Sequence, residues 1–279
     1  MDADYRGRRA LTAPVAFTCL LPVYGGDDPA AFGEAIDSIA ASVLPPTEVM
    51  ICQDGDLPAD LAERVAAAAR AGARVVVNAG PRGLHHNLNN ALGQVRTPWI
   101  ARCDADDINL PDRFLRQATH LAEHEDIGVL GGDLIEFWPD GRTRAKVMPL
   151  DHDAIVAWAQ WRSPVNHNTV FYRARDVLDC GGYPDLPFKE DYALWLTMIA
   201  RGIRFANLRA DLVRARLGEG FYGRRAGLKN LASEWAIYRL KRGVPTLAGP
   251  AAVAALTVRS AVLASGAVTG LAYNLGLRR

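Results

Sequence analysis

The first hundred residues alternate between short apolar or β-rich runs and longer helical stretches, which restricts the fold more than any other feature of the chain. Phe17–Val23, Glu48–Cys52, Arg74–Asn78 and Trp99–Cys103 are the strand-like runs, and about Pro29–Val43, Pro58–Ala71 and Leu84–Val95 read as the helices between them. Parallel neighbours need a crossover, so this alternation predicts a parallel, doubly wound sheet. In such sheets ligands sit outside the carboxyl ends of the strands. Polar residues stand at those ends: Tyr24, Asp54, Asn78 and the cluster Asp104-Ala105-Asp106-Asp107. Further on, Ile127–Leu134, Ile135–Trp138 and Asn168–Tyr172 read as strands, Pro139-Asp140-Gly141 and Asp176–Leu178 as turns, and Asp153–Trp161 and Asp191–Arg201 as helices.

The Asp104 cluster carries the most chemistry. It follows the apolar run Pro98-Trp99-Ile100-Ala101, and carboxylates crowded at the end of a buried strand repel one another and lose hydration. A hard divalent cation, Mn2+ or Mg2+, relieves that repulsion and takes its remaining oxygens from a substrate diphosphate. An Asp-rich turn capping a helix at Pro111 is the competing reading.

The formal net charge of +1 hides an asymmetry. Residues 1–200 hold 18 Lys/Arg and 28 Asp/Glu, a net of −10, whereas residues 201–279 hold 14 and 3, a net of +11. A basic tail on an acidic body points to anionic partners such as phosphates or a lipid surface. Nucleic acid is not expected, since no recognition motif accompanies the charge. Cys19, Cys52, Cys103 and Cys180 show no CxxC spacing and read as small buried hydrophobes, which favours a reducing compartment. Met1–Arg9 is polar and lacks the apolar core of a signal peptide, so the expected location is cytoplasmic.

The ordered motifs resemble family 2 glycosyltransferases with the GT-A fold. They are Leu21-Pro22-Val23-Tyr24, Asp54-Gly55, Asn78-Ala79-Gly80-Pro81-Arg82-Gly83-Leu84 with Leu88-Asn89, and Asp104-Ala105-Asp106-Asp107, which is similar to the family's DxD motif. His167-Asn168-Thr169-Val170, Gly181-Gly182-Tyr183 and Glu190-Asp191 complete the order. The set most resembles bacterial enzymes that build capsule, exopolysaccharide or lipopolysaccharide. The resemblance implies an α/β GT-A domain at 16–217, a Rossmann-like, mostly parallel mixed sheet flanked by helices. An N-terminal tail (1–15) precedes it and a basic, then apolar, helical region (218–279) follows it. Three positions depart from the pattern: Gln53-Asp54 replaces an acidic pair, Gly25 an asparagine, and Val213-Arg214-Ala215-Arg216 lacks a histidine.

The resemblance implies an inverting, metal-dependent hexosyl transfer from a nucleotide-sugar, a UDP-sugar favoured, to a hydroxyl of a glycan or lipid-linked acceptor. Pro22, Val23, Tyr24, Asp54, Asn78 and Arg82 are then expected at the nucleotide. Asp106 is expected on the metal, and Asp104 near the ribose or a metal-bound water. Asp191 is the expected general base, since an acceptor hydroxyl is a poor nucleophile. Glu190 and His167 fall on the acceptor side, and Arg214 and Arg216 near the diphosphate, whose geometry suits arginine. The alternative is a noncatalytic sugar-nucleotide-binding or scaffold subunit of a polysaccharide assembly complex. His85-His86 are neighbours on a helix and are expected to diverge, not to form a metal pair. Trp158 and Trp161 read as core rather than as a sugar platform. Arg224, Arg225, Lys229, Arg239, Lys241 and Arg242 precede an almost uncharged run, Val244–Leu277, interrupted by Arg259. That run is left among three readings: packing on the body, lying in an anionic membrane interface on the inner face of the cell membrane, or spanning it.

Overall fold

The computed structural model describes residues 15–218 and 229–264. The expected N-terminal tail up to residue 14, Arg224, Arg225 and the apolar run beyond residue 264 lie outside the described residues.

The expected alternation forms as β1 (Phe17–Tyr24), α1 (Pro29–Ala40), β2 (Glu48–Asp54), α2 (Ala59–Arg70), β3 (Arg74–Val77), α3 (Leu84–Leu92) and β4 (Trp99–Arg102). Asp28 starts α1: its side chain accepts from the Ala30 and Ala31 amides, and Pro29 follows at the first helical position. Such a cap contributes about 1 kcal/mol. Then come β5 (Ile108–Asn109), α4 (Arg113–Glu123), β6 (Ile127–Phe137), β7 (Thr143–Lys146), α5 (His152–Trp158), a 3-10 turn at His167–Thr169, β8 (Phe171–Arg173), α6 (Ala174–Asp179), α7 (Glu190–Ala200) and β9 (Arg204–Arg216). Two helices follow, α8 (Lys229–Arg242) and α9 (Pro250–Ala264).

The sheet order is β3-β2-β1-β4-β8-β6-β9-β5, with β7 added to β6. β1 pairs in parallel with β2 on one side and β4 on the other, so the order reverses there. That switch point opens a crevice at the strand ends. Successive residues of the central strands serve two separate cores. Leu20, Met50, Ile100, Val129 and Tyr172 face the layer containing α3, α5, α6 and α7. Cys19, Ile51, Ala101, Leu130 and Phe171 face the layer containing α1, α2 and α4. This two-sided burial is why the strands read as continuous apolar runs.

Four local differences have physical causes. Ile127–Phe137 is one strand, and its register against β9 shifts between Ile127 and Val129 and again between Gly132 and Leu134, not after Leu134. Asn168 lies in the 3-10 turn, so pairing starts at Phe171. Ala174–Asp179 is helical where a turn was expected. α4, β5 and β7 were not anticipated: α4 starts after Asp112, and the Asp104 cluster lies in a loop before β5 and caps no helix.

α4 is locked by an aromatic cluster. The Phe114 ring lies 5.2 Å from Phe17 and 6.0 Å from Phe171 by centroids. Phe114→Ala is expected to cost about 3–5 kcal/mol, because a buried ring leaves a cavity that this rigid layer cannot fill. Urea unfolding checks it; a loss under about 1 kcal/mol means that α4 does not hold this layer.

The C-terminal helices pack on the body through Ile237, Val244 and Leu247, which join the core around α7. Ala252 and Ala255 of α9 are also buried. Among the described residues no helix is long and apolar enough to cross a membrane.

Candidate active site

Parallel pairing puts Tyr24 opposite Asp54 at the ends of β1 and β2. Pro22 and Val23 are buried within β1, while Tyr24 is 47% exposed. The tyrosine ring lies over Gly26, where a Cβ would stand 2.5 Å from Cε2. Asp54 is tied on both oxygens: Asn78 Nδ2 donates at 2.9 Å and the Gly83 amide at 2.9 Å. Asn78 also donates to the Pro81 carbonyl at 2.8 Å, so it shapes the loop that carries Arg82. The Arg82 guanidinium lies across Gly55, whose φ of +78° and lack of Cβ leave it room. Tyr24, Asp54, Asn78 and Arg82 therefore come together at the carboxyl ends of β1 and β2.

The Asp104 cluster lies beside it at the end of β4. Its three carboxylates differ in environment. Asp107 is buried and spent on structure: Asn168 Nδ2 and the Arg216 amide both donate to it. Asp104 gives one oxygen to Arg102 Nη2 at 2.5 Å. Burial, reinforced by Asp104, pushes the Asp106 carboxyl up to about 6. Asp27, in the loop after β1, is also raised to about 6, first by burial, with Asp106 and Asp104 adding to the shift. The Asp27 carboxylate accepts from the Tyr24 amide at 2.9 Å, so it joins the acidic loop to the end of β1.

Two arginines organise this acidic pocket. Arg102 occupies a core position of β4 and is 1% exposed. Burial alone would lower its pKa, but Asp104, Tyr183 and Tyr172 outweigh that and raise it, so it stays charged beneath the carboxylates. Arg216, at the end of β9, donates from Nε to the Asp106 carbonyl at 3.1 Å and pairs with Glu34 at 2.5 Å. Arg214 and Arg216 both lie over the Phe137 ring, 4.9 and 4.8 Å from its centroid. Arg216 thus anchors the loop through its side chain, and Arg214 pairs through the backbone with Ile108 just after it.

Asp191 opens α7 beside Glu190, and Ser163 Oγ donates to Asp191 Oδ2 at 3.3 Å. The Tyr172 hydroxyl accepts at 3.2 Å from the buried Tyr183 hydroxyl. His167 Nε2 lies 2.9 Å from that hydroxyl. Burial, with Arg102 as a second cause, holds the His167 imidazole well below its ordinary pKa and keeps it neutral. That geometry supports a structural hydrogen bond for His167.

Other expectations turn out differently. The His85 and His86 rings do not diverge: their centroids are 3.9 Å apart, and His85 Nε2 lies 3.1 Å from Asp185 Oδ1. Both belong to the first helical turn, where Gly83 leaves space beside His85. Trp161 is 48% exposed and is not core. Asp27, Arg102, Ser163 and Glu34 are site residues that motif reading missed. Asp27-Asp28 reads as a helix cap, and Arg102 stands alone in an apolar run, so neither has a sequence signature.

Residues 18–182 match the sequence model of glycosyl transferase family 2. The chain belongs to that family. It is 31% identical over 226 residues to the amylovoran biosynthesis glycosyltransferase AmsE of Erwinia amylovora, covering 81% of this chain and 85% of that one. It is 30% identical over 221 residues to a UDP-Gal:alpha-D-GlcNAc-diphosphoundecaprenol beta-1,3-galactosyltransferase of Escherichia coli, covering 78% and 80%. Among solved structures it resembles the mannosyltransferase PcManGT from Pyrobaculum calidifontis in complex with GDP-Man and Mn2+. There the TM-score is 0.61 at 18% identity, over 95% of this chain and 81% of that one. The fold is GT-A, and a glycosyltransferase activity follows from the family.

Proposed function

We propose that this family 2 enzyme transfers a hexose, with inversion, from a nucleotide-diphosphate sugar to a hydroxyl of a glycan or lipid-linked acceptor in cell-surface polysaccharide synthesis. A UDP-sugar is the favoured donor, as in the name of the Escherichia coli relative. The observation that carries the reading is the Asp27 carboxylate, bonded to the Tyr24 amide and crowded by Asp104 and Asp106, beside the Tyr24–Asp54 pair at the strand ends. Hard oxygen donors whose protons are held by crowding fit Mn2+ or Mg2+, and so does a relative solved with Mn2+. Asp106 and the free oxygen of Asp104 would hold the metal, which would supply charge stabilisation for the departing diphosphate.

The protein's own groups do the rest. Tyr24 and Asp54, with Pro22 and Val23 below them, hold base and ribose, and Asn78 keeps Asp54 aimed. Arg82 reaches toward the phosphates. Arg216 keeps the acidic loop in place. Asp191 accepts the acceptor proton from the side opposite the donor, and one base attacking against the leaving group gives inversion. Glu190 borders the acceptor. The test is a donor screen with a lipid-linked glycan acceptor, reading nucleoside diphosphate release and anomeric configuration. Acceptor-dependent release with one donor supports transfer. Donor binding without release under every acceptor favours the noncatalytic sugar-nucleotide-binding or scaffold reading.

We place the enzyme on the cytoplasmic face of a membrane, held peripherally by its C-terminal helices. Trp235, Val253 and Val258 are exposed there, and so are Arg239 and Arg242 of α8. Exchanging both arginines for glutamate is expected to weaken binding to anionic vesicles at least about 30-fold, at about 1 kcal/mol per basic residue. The effect should fade at high salt. Equal co-sedimentation of wild type and variant refutes the membrane role.

A further inference from the structure

The C-terminal helical pair is built around a buried charge cluster that the transfer reading above does not use. Glu234 of α8 is buried and accepts from Lys189 Nζ at 2.7 Å. Arg259 of α9 donates to both of its oxygens, at 2.9 and 2.8 Å. Both cations hold the Glu234 carboxyl below its usual range against the opposing effect of burial. A buried charge of this kind survives only with its partners in place.

The partners lead to Asp191 from two sides. Lys189 stands immediately before Glu190 and Asp191. One residue earlier, Phe188 has a φ of +62°, a strained conformation for a residue with a side chain. Such strain persists only where the surroundings over-determine it, and here α8 holds both flanks. Ser233 Oγ donates to the Pro187 carbonyl at 3.4 Å, and Glu234 binds Lys189. On the other side Arg259 Nη1 donates to the Trp161 carbonyl at 2.7 Å, and Lys241 Nζ to the Gln160 carbonyl at 2.6 Å. That segment runs into Ser163, whose hydroxyl donates to Asp191. Lys241 also lies over the Tyr192 ring, 5.5 Å from its centroid, next to the base itself.

We propose that Glu234 is a positioning residue, which clamps the 187–189 and 160–163 segments together and thereby sets Asp191 for proton transfer. The proposal rests on Asp191 being the base, and it makes α8 and α9 part of the catalytic frame. The donor pocket lies on β1, β2 and β4, away from this clamp.

The experiment compares wild type, Glu234→Gln, Lys241→Met and Asp191→Asn. Nucleoside diphosphate binding with Mn2+ is followed by calorimetry, transfer by steady-state kinetics, and local opening by hydrogen exchange. Glu234→Gln should lower kcat at least tenfold, with KM for the donor and nucleotide affinity within twofold of wild type. Amides of 160–163 and 188–192 should exchange faster while those of β1, β2 and β4 stay protected. Lys241→Met, which releases one arm, should show the same pattern to a smaller degree. Wild-type kcat with unchanged exchange in Glu234→Gln overturns the proposal. Loss of nucleotide binding in proportion to kcat in both variants also overturns it, because the clamp would then merely support the fold. An active Asp191→Asn enzyme would instead remove the base assignment, and the exchange data alone would still report whether the clamp holds these segments.

Discussion

Asp106→Asn abolishes transfer, by a factor of about 10²–10³ or more, and leaves nucleotide-free protein folded and more stable at neutral pH. The loss follows from removing a ligand of the metal that would stabilise the leaving diphosphate. The gain follows from burial and repulsion, which push Asp106 up to about 6 in the folded protein against an ordinary 3.8. Between those values the folded state binds more protons than the unfolded chain, so stability falls as pH rises from about 4 to 6 and stays reduced above it. Asp27, also raised to about 6, adds to the same slope. Metal-free wild type should therefore lose Tm relative to Asp106→Asn as pH climbs from 5 to 7.5. Mn2+ reverses the sign, since protons compete with it: its Tm increment should be large at pH 7.5, small at pH 5.5 and nearly absent in the variant. Full activity in excess EDTA, or an equal Mn2+ increment in both proteins, refutes the assignment.

Asp191→Asn should bind nucleotide and Mn2+ like wild type and lose transfer by about 10²–10⁴-fold, the usual worth of a positioned base. The amide keeps the size of the carboxylate and can still meet Ser163 Oγ, so the fold is spared. Glu190→Gln should be milder, because Glu190 is assigned to the acceptor border. A pre-steady-state measurement of product formation separates chemistry from release. Wild-type rates in Asp191→Asn exclude it as the base. A matching fall in nucleotide affinity makes its role structural.

The strand-end half of the candidate site is legible in the sequence because each strand delivers its polar residue at its own end. Tyr24, Asp54 and Asp104 are read directly once the strands are placed, and parallel pairing aligns them. What escapes is whatever depends on distant partners. Arg102 looks like an interruption of an apolar run, yet it balances Asp104 from below. Arg259 looks like an obstacle in an apolar tail, yet it meets Glu234, 25 residues earlier. α4 buries two polar residues that no sequence signal marks: Arg113 and Gln117 are fully buried, donating to the carbonyls of Arg102, Leu130 and Thr169. Periodicity reports greasy faces, and these polar groups sit on such faces with their hydrogen bonds made by elements far along the chain.

The tie from Arg216 makes the acidic loop answer to the far end of the domain. It joins the last strand to Glu34, 182 residues earlier, and to the loop of Asp106 and Asp107. Tyr24 and Asp54 stand opposite each other through the pairing of β1 with β2, whereas β5 finds its partner in β9. A chain cut or frayed before β9 therefore gives up the Arg216 contacts of Asp106 and Asp107 while the pairing that aligns Tyr24 with Asp54 stays whole, so the two halves of the site fail separately.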